Sequence, residues 1–287
     1  MKKRMRFVPT SPRAPSLATA LVLALSAVVS AQAPATETRP AAAPTYVEPR
    51  ATELLKEMSS LLGGTPRFAF QAEESFDEIP DGQPRTELTN VRRVAVERPN
   101  RLAADASGDT LSRAACYDGK TFGVLDKDHD TYATFDAPAT IDATLDKLSN
   151  EYGMVLPLAD LVYSDPYAIL SAGVTYGRYA GIHLAAGVPC HHLVFAQRTI
   201  EWQIWIDAGA QPLPRQIVIT YVNEPGEPQY RATFRKWNLD PKFPEGLFTF
   251  HAPEGARKVE PAAMIRRAPT AAAPSPGKKE PAQEGQR

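Results

Sequence analysis

EWQIWID at residues 201–207 and PRQIVITYV at residues 214–222 alternate in polarity, and together they decide the fold class. In an extended strand Ile200, Trp202, Ile204 and Ile206 point to one side, and in the next strand Ile217, Ile219 and Tyr221 do the same. The opposite sides are not wholly polar, since Trp205 lies on one and Val218 and Val222 on the other. Strands apolar on both faces are expected where one side packs in a core and the other lines a pocket or meets helices. The pattern runs from Tyr179 to Asn238 and reads as five antiparallel strands. A tight loop centred on Ala186 and Gly187 would set His183 opposite Cys190, with His192 diagonal on the same face.

Working toward the N-terminus, the same alternation recurs. Phe68, Phe70, Ala72 and Phe76 alternate with Gln71, Glu73 and Ser75; a turn at Pro80-Asp81-Gly82 then leads into a long strand from Arg85 to Glu97. Leu102–Ala106, Leu111–Tyr117, Thr121–Leu125 and Thr131–Phe135 continue the meander, with Asp118-Gly119 as a hairpin turn. Helical spacing appears in two places. Leu54, Leu55, Met58, Leu61 and Leu62 precede a Gly63-Gly64 stop, and Ile141, Leu145, Leu148 and Tyr152 follow a capping Thr140. Further helical pieces are expected at Leu158–Val162 and from Asp165-Pro166 to Gly173. Helices between two blocks of meander predict an α+β fold, a curved antiparallel sheet with helices covering one face. A membrane barrel is excluded, because its lipid side must be an apolar band and these strands carry too many charges.

The ends differ in character. Lys2, Lys3, Arg4, Arg6 and Arg13 precede an apolar run from Leu17 to Val29 and a small-residue exit, so residues 1–31 read as a signal peptide cleaved after Ala31. No cysteine near that site offers lipid attachment, and the expected location is the periplasm, with no transmembrane segment in the mature chain. Residues 32–49 and 261–287 are rich in Ala and Pro and read as a disordered linker and tail around one domain at 50–260. The formal charge is −1 for the whole chain. Removing the signal's cations and the tail's excess of cations leaves a folded part that is distinctly acidic, which argues against nucleic-acid binding.

No G-x-S-x-G, H-E-x-x-H, C-x-x-C or phosphate-loop pattern occurs in the mature chain, and Asp160, Asp165 and Asp207 read as caps and turn formers. His183, Cys190 and His192 match no established zinc spacing, so neither a metal nor a cofactor is expected. Cys116 and Cys190 are the only cysteines; either they form one disulfide between the two meanders or they are two separate buried thiols. Phe195, Trp202, Ile204, Trp205, Tyr221, Phe234 and Trp237 are the candidates for lining a ligand cavity, since apolar walls with a few polar anchors are what apolar ligands need.

Four local motifs carry a resemblance: Tyr117-Asp118-Gly119-Lys120; Pro157-Leu158-Ala159-Asp160-Leu161; Gly187-Val188-Pro189-Cys190-His191-His192-Leu193; and Trp205-Ile206-Asp207 followed by Leu213-Pro214-Arg215. Together, and with Phe248-Thr249-Phe250 near the end, they resemble the DUF2092 family of predicted periplasmic proteins, within the LolA/LolB/RseB-like lipoprotein-carrier superfamily. The resemblance implies a strongly bent antiparallel half-barrel, helices over its concave face, an apolar cavity and no catalytic residues. The expected function is non-catalytic binding or carriage of an apolar ligand, a lipid or lipoprotein acyl chain. The alternatives are an envelope sensor or adaptor that binds a protein partner, and an unrecognised hydrolase.

Overall fold

The structure, a computed structural model, describes residues 46–80, 84–154 and 156–265; the expected signal peptide and the tail from 266 onward lie outside the described residues. A short strand β1 (Tyr46–Val47) leads into helix α1 (Pro49–Gly64). Proline suits the first helical turn, whose N–H groups lack intrahelical acceptors. Ala51, Leu54, Leu55, Met58 and Leu62 are all buried on one side of α1. Its end passes close to later chain, because a Cβ on Gly63 would sit 2.5 Å from the Ser164 carbonyl oxygen.

A meander follows: β2 (Arg67–Glu78), β3 (Thr86–Glu97), β4 (Arg101–Gly108), β5 (Ser112–Tyr117), β6 (Thr121–Asp126) and β7 (Thr131–Asp136). Helix α2 (Ile141–Tyr152) is capped as its sequence predicts, with the Ala143 N–H donating to the Thr140 hydroxyl at 3.2 Å. Leu158 adopts a left-handed backbone, so the expected helix at 158–162 shrinks to a single 3-10 turn at Ala159–Leu161. Helix α3 (Pro166–Ser171) starts behind Asp165, whose carboxylate accepts from the Ala168 N–H. The second meander is β8 (Tyr176–Ala185), β9 (Val188–Ala196), β10 (Glu201–Asp207), β11 (Pro214–Thr220) and β12 (Gln229–Asn238). The chain then forms β13 (Arg257–Lys258) and a short helix α4 (Pro261–Ile265).

Among the described residues the strands make one open sheet in the order β1-β8-β9-β10-β11-β12-β2-β3-β4-β5-β6-β7-β13. Its interior is antiparallel, and the only parallel pairs are the two-residue contacts at its edges, β1 with β8 and β13 with β7. The two meanders join where β12 pairs with β2, setting Tyr230 opposite Phe76 and Phe234 opposite Ala72. Met58, Leu145 and Leu170 from the helices share one apolar cluster with Phe68, Trp202 and Phe234 from the sheet. The helix-covered side is therefore the inner face of the expected α+β half-barrel.

Two boundaries differ from the sequence expectation. Val47 pairs with Gly177 inside the supposed linker. At the other end α4 is ordered within the supposed tail because Met264 is wholly buried, its sulfur accepting from the Thr131 hydroxyl. The chain reaches that point by crossing the outer face: a Cβ on Gly123 would fall 2.2 Å from the Phe250 ring, so only glycine admits this crossing. It then passes round the β7 edge as β13.

Candidate functional site

Cross-strand registry arranges the inner face in transverse rows. One row runs Phe195, Trp202, Ile219, Tyr230 and Phe76 across β9, β10, β11, β12 and β2. The next runs Leu193, Ile204, Ile217, Ala232, Glu74 and Asn90, reaching β3. Phe195 and Trp202 stack with ring centroids 4.4 Å apart, and neither side chain reaches solvent to any extent. The Trp202 indole Nε1 and the Tyr221 hydroxyl are buried without a hydrogen-bond partner. Burial, with Glu224 and Asp160 nearby, pushes the Tyr221 phenol well above its ordinary range.

The seven cavity candidates do not all share this face. Phe195, Trp202, Ile204, Tyr221 and Phe234 are buried within the inner cluster. Trp237 joins them through an irregularity: Lys236 is left-handed, the β12 register shifts between Arg235 and Asn238, and the indole turns in against Phe70, 4.7 Å away, and Phe234. Trp205 does not join them. It pairs with His192 and Gln216 on the outer face and stacks on the His192 ring at 4.0 Å, as strict alternation with Trp202 and Ile204 requires.

Charged residues that sequence reasoning passed over also face inward. Glu74 occupies the apolar phase of β2 between Ala72 and Phe76, and Arg92 the apolar phase of β3 before Val94 and Val96. Their ion pair is bidentate, and the Tyr230 hydroxyl donates to the same carboxylate at 2.8 Å. In the row that contains Arg92, registry continues through Ala106 and Arg113 to Asp126 and Thr131. Arg113 and Asp126 form a second pair at 3.2 Å. Burial works against the Asp126 carboxylate, but bonds from His129 and Arg113 outweigh it and hold its pKa below the usual range. The inner face is thus apolar across β9 to β12 and carries a charged band across β2 to β6. The sequence signal was a charge falling in the apolar phase of a strand.

The β8–β9 hairpin has the expected register, with His183 opposite Cys190 and both Ala186 and Gly187 left-handed. Cys116 and Cys190 are free thiols, which corrects the disulfide alternative: β10, β11, β12, β2, β3 and β4 lie between their strands. Burial raises both thiol pKa values, with Asp105 adding to the effect at Cys116 and Asp207 at Cys190. Among the described residues no group of three or more His, Cys, Asp or Glu side chains is arranged to hold a metal ion, and no helix is long and apolar enough to cross a membrane.

Several solved structures align with the chain at low identity. An uncharacterized conserved protein from Thermus thermophilus aligns at 11% identity and a TM-score of 0.44 over 74% of this chain and 99% of its own. A chain of the Pseudomonas aeruginosa MucA/MucB complex aligns at 18% and 0.40, over 71% of this chain and 62% of its own. A LolA superfamily protein from Nitrosomonas europaea aligns at 8% and 0.34, over 70% and 97%. No curated protein matches the chain. The family model of predicted periplasmic proteins DUF2092 matches residues 51–261, from the first turn of α1 to the first residue of α4, and the chain belongs to that family.

Proposed function

We propose that this protein is a non-catalytic periplasmic binding or carrier protein whose ligand is apolar, a lipid or lipoprotein acyl chain held between the inner face and the helices. The observation that carries the reading is the continuous apolar surface formed by Phe195, Trp202, Ile219 and Phe76 in one row and Leu193, Ile204 and Ile217 in the next. Each methylene buried there contributes about 0.8 kcal/mol, so an acyl chain gains affinity without covalent chemistry. The unpartnered Trp202 N–H and Tyr221 O–H supply two buried donors for a polar group on the ligand. The charges of the inner face are bonded to one another, Glu74 to Arg92 and Tyr230, Asp126 to Arg113 and His129, which suits orientation better than proton transfer. Ligand release requires α1, α2 or α3 to move off the sheet.

Native mass spectrometry of the protein taken from its own periplasm tests this. A co-purifying mass that disappears on denaturation and is recovered as extracted lipid supports the carrier. Protein of bare mass that also fails to bind a fluorescent fatty acid rules it out.

A second reading, an envelope adaptor that binds a protein partner, is favoured by β8. Beyond Gly177 this edge has no strand partner among the described residues, and Ile182 and Leu184 there are 51% and 71% exposed. A stable stoichiometric protein complex in the same spectrum would select this reading.

A further inference from the structure

We propose that His183 and His192 form a copper(II) site on the outer face, independent of the inner-face ligand. The two rings project from adjacent strands, His192 opposite Gly181 and His183 opposite Cys190, and their Nδ1 atoms lie 3.0 Å apart. Two imidazole nitrogens each about 2.05 Å from one ion and at about 90° to each other are separated by about 2.9 Å, so the pair already has the spacing of neighbouring ligands in a square arrangement.

The surroundings fix one ring for this role. His192 Nε2 lies 2.9 Å from Gln203 Oε1, so Nε2 carries the proton and the Nδ1 lone pair faces His183. Trp205 stacks on the His192 ring with an interplanar angle of 12° and holds its orientation. His183 is exposed and now donates its Nδ1 proton to His192. Binding copper moves that proton through solvent to His183 Nε2, which frees the second lone pair without net proton release. Water fills the remaining positions on the open side. Cys190 is no ligand in this arrangement, as its buried thiol donates to the Val188 carbonyl. Copper(II) suits two imidazoles with water because it stands highest among the common divalent metals for such donors and prefers a planar set. Arg178 is the neighbouring charge that opposes a cation.

The test is titration of untagged full-length protein with copper(II) chloride, read by quenching of tryptophan emission and by electron paramagnetic resonance. One equivalent binds with a two-nitrogen signature; His183→Ala and His192→Ala abolish it, and Gln203→Leu weakens it by roughly tenfold through loss of the tautomer-fixing bond. Trp205→Phe removes most of the quenching while the resonance signature stays. His191→Ala, on the other face, leaves binding intact. An unchanged signature in both His183→Ala and His183→Gln, or loss of it in His191→Ala, overturns the assignment.

Discussion

Arg92 grips Glu74 diagonally across β2 and β3 with two hydrogen bonds, Nε to Oε1 at 2.6 Å and Nη2 to Oε2 at 3.1 Å, inside the protein. Removing one partner strands the other charge in a dry site. Arg92→Met should therefore cost about 3–5 kcal/mol of stability, whereas Glu74→Leu combined with Arg92→Met should recover most of that loss. Urea unfolding of the two single variants and the double variant measures this. Simple addition of the single losses would show that the pair does not behave as one buried unit.

The faces of β10 separate two tryptophans of adjacent sequence. Trp202→Leu should weaken binding of a fluorescent fatty acid by roughly tenfold, the worth of about 1.4 kcal/mol of lost contact, while Trp205→Leu should leave it unchanged because Trp205 lies against His192 outside. Equal effects of the two substitutions would place the probe somewhere other than the inner face.

Asp126 ties stability to acid. Its folded pKa lies below the unfolded value of about 3.9, so its ionised form stabilises the fold fully above about pH 4, and that contribution is lost as pH falls through the folded value. Urea midpoints of the native protein and Asp126→Asn should differ by a constant amount from pH 7 to about pH 4.5 and converge below it. A gap that widens on acidification would contradict a lowered folded pKa.

Two thiols held protonated by burial should resist alkylation in the native state and react fully in denaturant. Intact mass should not change on reduction. A gain of two hydrogens would reveal a disulfide.

Much of this could be read from residue order alone, and what was missed has physical causes. Thr140 and Asp165 announced their helices because a capping side chain acts within three residues. The β8–β9 registry was equally legible, since Ala186-Gly187 leaves little choice of turn. Trp237, named among the cavity candidates, reaches the inner face only through the bulge at Lys236, whereas Trp205, named with it, lies outside because alternation with Trp202 and Ile204 leaves it no other face. Cys116 and Cys190 could be paired on paper because distance along a chain says nothing of strand order, and that order places one meander beyond the other. Glu74 escaped notice because a charge inside an apolar strand phase looks like an interruption until Arg92 is seen beside it. Met264 was lost in a run of Ala and Pro whose composition resembles a tail.

The seam between β12 and β2 sets the timing of assembly. Phe76 meets Tyr230 and Ala72 meets Phe234, so the middle of the sheet is built from segments at opposite ends of the domain. Strands made early must wait, with the inner side of β2 uncovered on that flank, until nearly the whole chain has emerged. Even then the β7 border stays open until residues 257–264 arrive to close it. A chain whose centre is closed only by its last long strand keeps the halves of its sheet apart until residues 229–238 are in place.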